Sequence, residues 1–238
     1  STQAKTLFPY TTLFRSIQTP FSACAYTFPH PDTADEDGLV AVGGDLNPYR
    51  LVEAYKNGIF PWFSHEGLIF WYSPDPRAVL YPNEFKASKS LFKSVKNSDF
   101  EFKINGNFDE VIDSCRMVAR KGEYGSWIDD DFIEGYTRLN RLGIAQSVEC
   151  YAEGEIVGGF YGVRLGGVFF GESMFHKRRD ASKAALWFLC ENAKSFGIDI
   201  IDCQQETPHL LSLGAKAIQR GEFLEILKEK IQTSDMRG

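Results

Sequence analysis

Apolar residues in this chain recur at helical spacing in some stretches and crowd into short runs in others, and proline and glycine mark the changes. After Asn47-Pro48, a strong helix start, Leu51, Val52, Ala54 and Tyr55 share one face, and Gly58 is a natural stop. The aromatic run Ile59-Phe60-Pro61-Trp62-Phe63 follows, kept out of helix by Pro61. Ser73-Pro74-Asp75-Pro76 reads as a rigid turn. It is the expected boundary between a small N-terminal domain, 17–74, and a larger one, 75–238. Beyond it, 78–81 and 100–104 read as strands. Helices are expected over 88–97, 107–120 and 130–142, with Asn107 and Glu110 at capping-box spacing and Gly143 as a stop. Three strand-like runs, 145–152, 156–164 and 166–175, are joined by the tight turns Glu153-Gly154 and Leu165-Gly166, which predicts an antiparallel meander. A helix over 181–196, a strand over 198–202, a strand over 215–219 and a helix over 222–231 complete an α+β pattern.

Two acids interrupt the apolar runs. Glu172 sits among Phe, Met and Gly in Val168-Phe169-Phe170-Gly171-Glu172-Ser173-Met174-Phe175, where it reads as the end of a buried strand. Asp202 ends Ile198-Asp199-Ile200-Ile201 and is followed at once by Cys203-Gln204. Burying a carboxylate without partners is costly, so such acids are paired, hydrogen-bonded or proton-carrying. Two of them in one domain point to a site that handles cations or protons. Residue type alone does not separate that reading from a structural one.

The bulk properties narrow the classes. With 238 residues and 43% apolar composition the chain can bury a sizeable core. A net charge of −6 excludes a uniformly basic coat, so nucleic-acid contact would need a local patch. Five cysteines without a C-x-x-C pair suit a reduced cytosol and support neither a disulfide framework nor a zinc site. The longest apolar stretch, 156–175, carries Arg164, Glu172 and six glycines, so no membrane span is expected. Residues 6–16 resemble a translated sequencing adapter, and 1–16 is set aside as an artefactual or disordered leader.

Basic and aromatic residues supply further candidates. Lys86, Lys89, Lys93 and Lys96 are spaced to share a helix face, and Lys177, Arg178, Arg179 and Lys183 cluster before the helix at 181–196. Read alone, a lysine stripe is also an ordinary solvated surface. Trp62 and Trp127 stand in loop-like contexts, either as packing anchors or as platforms on which unpaired bases stack. Phe160, Val168, Phe169 and Met174 come from adjacent strands of the meander, either as core or as the wall of an apolar pocket.

Five segments, taken together and in order, resemble the leucyl/phenylalanyl-tRNA–protein transferases. They are Gly43-Gly44-Asp45-Leu46, Gly58-Ile59-Phe60-Pro61-Trp62-Phe63, Trp71-Tyr72-Ser73-Pro74-Asp75-Pro76-Arg77, Gly171-Glu172-Ser173-Met174-Phe175 and Asp202-Cys203-Gln204. The resemblance implies a GNAT-like C-terminal domain and transfer of Leu, Phe and, in the widest reading, Met from aminoacyl-tRNA to proteins that begin with Arg or Lys, marking them for degradation. It implies a monomer with no cofactor. It casts Asp202 as proton acceptor, Gln204 as relay and Glu172 as partner of the cationic acceptor residue. Trp62 and Trp127 would sandwich the terminal adenosine, Phe160, Val168, Phe169 and Met174 would hold the aminoacyl side chain, and the lysine stripe and the 177–183 cluster would carry the tRNA backbone. The family often reads His where this chain has Asn140 and Gln146, Trp at Tyr72 and Thr at Ser126, so a mechanism that requires His at either place does not operate here. The alternatives are a coenzyme A-dependent N-acetyltransferase and a non-catalytic tRNA-binding module. The connection His176-Lys177-Arg178-Arg179-Asp180 lacks the glycines that would wrap a pyrophosphate, which disfavours the first.

Overall fold

The computed structural model describes residues 27–118 and 128–232. The leader at 1–16, Ser126 and Trp127 lie outside the described residues. The chain runs β1 (Leu39–Val42), α1 (Pro48–Lys56), β2 (Phe60–His65), β3 (Leu68–Tyr72), β4 (Arg77–Leu80), α2 (Lys89–Asn97), β5 (Glu101–Ile104), α3 (Phe108–Arg116) and α4 (Asp130–Arg141). It continues with β6 (Ala145–Ala152), β7 (Glu155–Leu165), β8 (Val168–His176), α5 (Ala181–Phe196), β9 (Ile200–Gln204), α6 (Pro208–Ser212), β10 (Lys216–Ile218) and α7 (Arg220–Gln232). The fold is α+β, with mostly antiparallel sheets flanked by helices.

The first strands make a three-stranded sheet in the order β1-β3-β2, and the other seven a sheet in the order β10-β4-β9-β8-β7-β6-β5. Both form for reasons visible locally. Glu66 and Gly67 take positive φ angles of 51° and 76°, the conformation that a two-residue hairpin needs to join β2 to β3. The Asn47 side chain accepts from the Tyr49 amide and starts α1. Gly58, at φ +70°, stops that helix where a Cβ would meet Leu224 Cδ2 at 2.7 Å. Ser88, Asn107, Asp129 and Thr207 cap α2, α3, α4 and α6 in the same way.

The large sheet buries both faces. Val168, Phe170, Ile200 and Tyr161 pack with α1, α3, α4 and α7 into one core, which also takes in Phe60, Ile69 and Trp71 of the small sheet. Phe160, Phe169, Ile201 and Leu80 pack on the other side against α5 and Leu91 of α2. Neighbours along one strand go to opposite cores because strand side chains alternate.

Within the large sheet the β8–β9 pair is parallel and every other pair antiparallel. That seam is short: only Val168–Phe170 pair with Ile200–Asp202. Past it the strands carry one irregularity each. The register leaves Glu172 unmatched between Ser173↔Tyr161 and Gly171↔Gly162, and leaves Cys203 unmatched between Gln204↔Ala78 and Asp202↔Val79. Bulges of this kind re-aim side chains and are common beside functional sites. Neither acid ends its strand, as the sequence suggested: β8 runs on to His176 and β9 to Gln204.

The seam is anchored from below. Arg77, fully buried at the start of β4, donates Nε to Asp202 Oδ1 at 2.8 Å and Nη2 to Oδ2 at 2.7 Å. Its Nη1 donates to the Gly58 carbonyl at 3.0 Å, where α1 meets β2. The rings of Phe60 and Phe223 cover the guanidinium, with centroids at 4.9 and 4.7 Å. Removing one partner of such a pair leaves a buried charge uncompensated. Arg77→Met is therefore expected to lower stability by ~3–5 kcal/mol in urea unfolding, and Arg77→Met with Asp202→Leu to recover most of the loss. A cost below ~1 kcal/mol for the single change would show that the pair does not anchor the seam.

Candidate active site

A cavity of ≈ 310 Å³ opens where β8 and β9 part. Phe160, Phe169, Met174, Leu186, Ile201 and Leu210 give it apolar walls, and Phe60, Pro61 and Trp62 of the small sheet close one side. Glu172 and Gln204 supply its polar end, with Thr207 and His209 on the wall contributed by the α6 segment. The volume and the mix of apolar walls with few polar groups suit a small ligand or one side chain of a larger one.

Gln204 is the most constrained residue of the site. It takes φ +63°, a left-handed conformation that is strained for a side chain of this kind. Asp202 holds it there, because its Oδ1 accepts from the Gln204 amide at 2.9 Å. The Gln204 side chain donates Nε2 to Glu172 Oε1 at 2.8 Å, bridging the two bulges across the opening. With Oε1 accepting, the amide is oriented with its nitrogen toward Glu172 and its oxygen away from it.

Glu172 is enclosed further by two phenols. Tyr55 Oη lies 2.7 Å from Oε1, Tyr136 Oη lies 2.8 Å from Oε2, and the two hydroxyls are 2.5 Å apart. Burial pushes the Glu172 carboxyl up to about 7 and the nearby Asp202 adds to the rise, against the hydrogen bonds from Tyr55, Tyr136 and Gln204. Burial also raises both phenols well above their usual range, and the charge of Glu172 adds to it. Burial, then Asp202, raises the Cys203 thiol too, so this cavity cysteine is held as a thiol.

Several sequence expectations need correction. Asp202, expected as a proton acceptor, is fully buried, and the Arg77 guanidinium and the Gln204 amide engage both its oxygens. It borders the cavity, yet these partners hold it and leave it without exposed surface. Glu172, expected to meet a cationic acceptor residue, lines the cavity with Tyr55, Tyr136 and Gln204 as its partners. Val168, expected in the pocket, packs into the opposite core. Strand alternation forbids Val168 and Phe169 from facing one cavity together. Phe160, Phe169 and Met174 do line it. Trp62 reaches it half-buried, edge-on to Tyr72 at 4.8 Å. Trp127 lies outside the described residues.

The cationic residues divide into two sets. Lys89, Lys93 and Lys96 lie exposed along α2, with Lys86 exposed just before it, and none of the four forms an ion pair among the described residues. The second set is not open as expected. Lys177 meets Glu110 at 3.2 Å, Arg178 meets Asp99 at 2.8 Å, and Arg179 and Lys183 both approach Asp180, at 3.6 and 3.4 Å. Local carboxylates in three different segments thus offset this cluster. The Arg178–Asp99 contact joins it to the end of α2, making the two sets neighbours.

Three participants escaped the sequence reading. Tyr55 looked like one more apolar residue on α1, Tyr136 lay on the buried face of α4, and Arg77 began a strand that is otherwise apolar. Only the last left a trace, a charge opening Arg77-Ala78-Val79-Leu80. Asn140, where His was noted as common, donates to the Ala145 carbonyl at 2.9 Å as a structural brace, and Gln146 pairs within β6–β7 away from the cavity walls. His209 borders the cavity, its pKa lowered by partial burial and by nearby Lys183 and His176.

Comparison with known proteins agrees with the motifs. The family model described as leucyl/phenylalanyl-tRNA protein transferase matches residues 79–228, and the model of that family's N-terminal domain matches 44–75. A leucyl/phenylalanyl-tRNA–protein transferase of Legionella pneumophila (strain Corby) is 48% identical over 213 residues, covering 90% of this chain and 95% of the relative. One from Sulfurimonas denitrificans is 51% identical over 201 residues, covering 84% and 87%. Among solved structures, a GCN5-related N-acetyltransferase from Kribbella flavida aligns at 11% identity and TM-score 0.37, covering 71% of this chain and 59% of that one. L-PGS from Bacillus licheniformis aligns at 14% identity and TM-score 0.40, covering 56% and 47%. On the matched family models and the alignments with the Legionella and Sulfurimonas relatives, the chain belongs to the leucyl/phenylalanyl-tRNA protein transferase family.

Proposed function

We infer that this chain transfers a leucyl or phenylalanyl group from tRNA to the N-terminal amine of a protein, with Arg- or Lys-starting proteins as acceptors and Gln204 as the protein group nearest the reacting atoms. The observation that carries the reading is the cavity between β8 and β9, with an apolar end sized for one side chain and a single oriented amide at its polar end. The protein acts as a monomer in the cytoplasm, and no helix among the described residues is long and apolar enough to cross a membrane.

The chemistry asks little of the protein beyond placement. The amine nitrogen attacks the ester carbonyl, a C–N bond forms, the C–O bond to the ribose breaks, and the proton leaving nitrogen ends on the ribose oxygen. No cofactor or nucleotide hydrolysis is needed once the tRNA is charged. Holding two reactants in line is worth roughly 7–11 kcal/mol, against the 10²–10⁴-fold that proton transfer to a side chain supplies. In this reading Phe160, Phe169 and Met174 seat the aminoacyl side chain, and Trp62, with Trp127, stacks the terminal adenosine. Gln204 accepts an N–H of the attacking amine on the oxygen turned away from Glu172. Asp202 anchors the Gln204 backbone and takes no proton. Lys86, Lys89, Lys93 and Lys96 meet tRNA phosphates directly. Lys177, Arg178, Arg179 and Lys183 do so when RNA displaces their carboxylate partners. Residues 17–74, with the small sheet, form the N-terminal unit, and 75–238 the catalytic one.

The test of the activity is incubation of the protein with radiolabelled leucyl-tRNA and an Arg-starting peptide. Label should pass to the peptide and vanish with ribonuclease; no transfer from either leucyl- or phenylalanyl-tRNA would refute the reading. Gln204→Ala is expected to lower kcat by ~10²–10³. Asp202→Asn is expected to lower kcat while leaving the shape of the pH–rate profile intact. Loss of a limb of that profile would return Asp202 to proton transfer. Replacing Lys89 and Lys93 by Ala should reduce the slope of log K against log salt for tRNA by ~1.5. An unchanged slope would make them ordinary surface lysines.

A further inference from the structure

The contacts around Glu172 contain more oxygens than an ionised carboxylate has hydrogens to join. Tyr55 Oη, Tyr136 Oη and the carboxyl group form a closed triangle with sides of 2.5, 2.7 and 2.8 Å. Each side needs one hydrogen between its oxygens. The two phenols own two. With Glu172 ionised, one side has lone pair facing lone pair, in a place where an unsatisfied polar contact is expensive. When both phenols donate to the carboxylate, the empty side is the shortest one, between Tyr55 and Tyr136.

We propose that Glu172, Tyr55 and Tyr136 share one additional proton and that the closed triangle they then form is the positioning unit of Gln204. With the third proton in place, Glu172 Oε1–H donates to Tyr55, Tyr55 donates to Tyr136, and Tyr136 donates to Oε2. Every side is satisfied. Oε1 retains a lone pair for Gln204 Nε2 at 2.8 Å, so the sense of the Gln204 amide is unchanged. The charged form is further disfavoured by what surrounds the triangle. Asp202 stands behind it on β9 with its charge matched by Arg77 of β4, and Tyr161 of β7 lies beside both phenols. Among these neighbours the triangle itself meets no cation directly. The rise of the Glu172 carboxyl toward neutral pH agrees with this proton count.

The unit joins four elements. Tyr55 comes from α1, Tyr136 from α4, Glu172 from the bulge of β8, and Gln204 from the end of β9. Loss of the proton sets Tyr55 and Tyr136 against each other and loosens α1 from α4, and with them the seat of the carboxyl group that aims Gln204. Tyr55 and Tyr136 are thus positioning residues that act through Glu172 and touch no substrate.

The inference rests on the proposed function for its meaning, yet its main test needs no tRNA. Infrared difference spectra of the full-length free protein, taken from acid to alkaline pH, should show a carboxylic C=O band that disappears with a midpoint of about 7 and is missing from Glu172→Gln. The Phe variants separate two explanations. If Tyr55 and Tyr136 were simple donors to an ionised Glu172, removing either would raise the midpoint, because the charged form loses a bond. In the closed triangle the protonated form loses two of its three bonds, so Tyr55→Phe and Tyr136→Phe should lower it. Either variant should also reduce kcat by roughly tenfold with KM for charged tRNA unchanged. A midpoint in the ordinary carboxylate range, a midpoint that rises in the Phe variants, or wild-type kcat in both would overturn the proposal. Two separate tyrosines keep the test alive if one variant fails to fold, which thermal melting reveals.

Discussion

The structure depends on the buried pairing of Arg77 with Asp202. A guanidinium and a carboxylate, both without solvent, are tolerable only because each is almost fully satisfied. The two side-by-side bonds, the carbonyl of Gly58 and the flanking rings of Phe60 and Phe223 together define a point where the small sheet, the large sheet and α7 meet. From that point Asp202 reaches forward to the Gln204 amide and holds it in a left-handed conformation. The charge pair thus connects the junction of the fold to the one amide whose orientation the site requires. Hydrophobic residues of equal volume would pack there as well, but they would not hold Gln204.

The second constraint is the short parallel seam. Three paired positions hold β8 against β9, and one bulge on each strand then turns Glu172 and Gln204 toward one another. A continuous ladder would have closed the sheet and left no cavity. The opening is therefore made by interrupting regular structure, and the cost is met by hydrogen bonds from Tyr55 and Tyr136, two residues distant in sequence. Contrast Glu149, a fully buried acid, whose oxygens accept from the Ser147 hydroxyl and from the Gly106 and Asn107 amides. It serves the turn before α3 and faces no cavity. Burial of an acid alone does not make a site; the direction of its partners does.

Charge is distributed to the same end. The surface is acidic overall, yet the exposed face of α2 has lysines that no acid neutralises among the described residues, while the neighbouring turn before α5 has its cations paired. An anionic partner meets the unpaired lysines at once and must compete for the paired ones. That difference makes the α2 face the natural first contact, with the turn joining afterwards.

Much of this was written in local sequence. The caps at Asn47, Ser88, Asn107 and Thr207, the stop at Gly58, the meander of β6–β8 and the helix of α5 follow from residue type and spacing, because hydrogen bonds between near neighbours decide them. The motifs around Glu172, Asp202 and Trp62 marked the region of the site, and Phe160, Phe169 and Met174 were placed in its wall. The division of labour within the site was not legible. Alternation put Val168 on the other face, though its neighbour Phe169 shares its composition. Whether Asp202 faces a substrate or a guanidinium depends on Arg77, 125 positions away in the chain. Whether Glu172 waits for a cation or is closed in depends on two tyrosines that look like ordinary core residues. Sequence alone determined most elements beyond Arg77, the kind of chemistry and the family, since those are set by short-range propensity and by local motifs; the three strands of the small sheet were not read from it. Tertiary structure decided the company that each carboxylate keeps at the cavity, because a side chain's partners are chosen by the packing of distant segments.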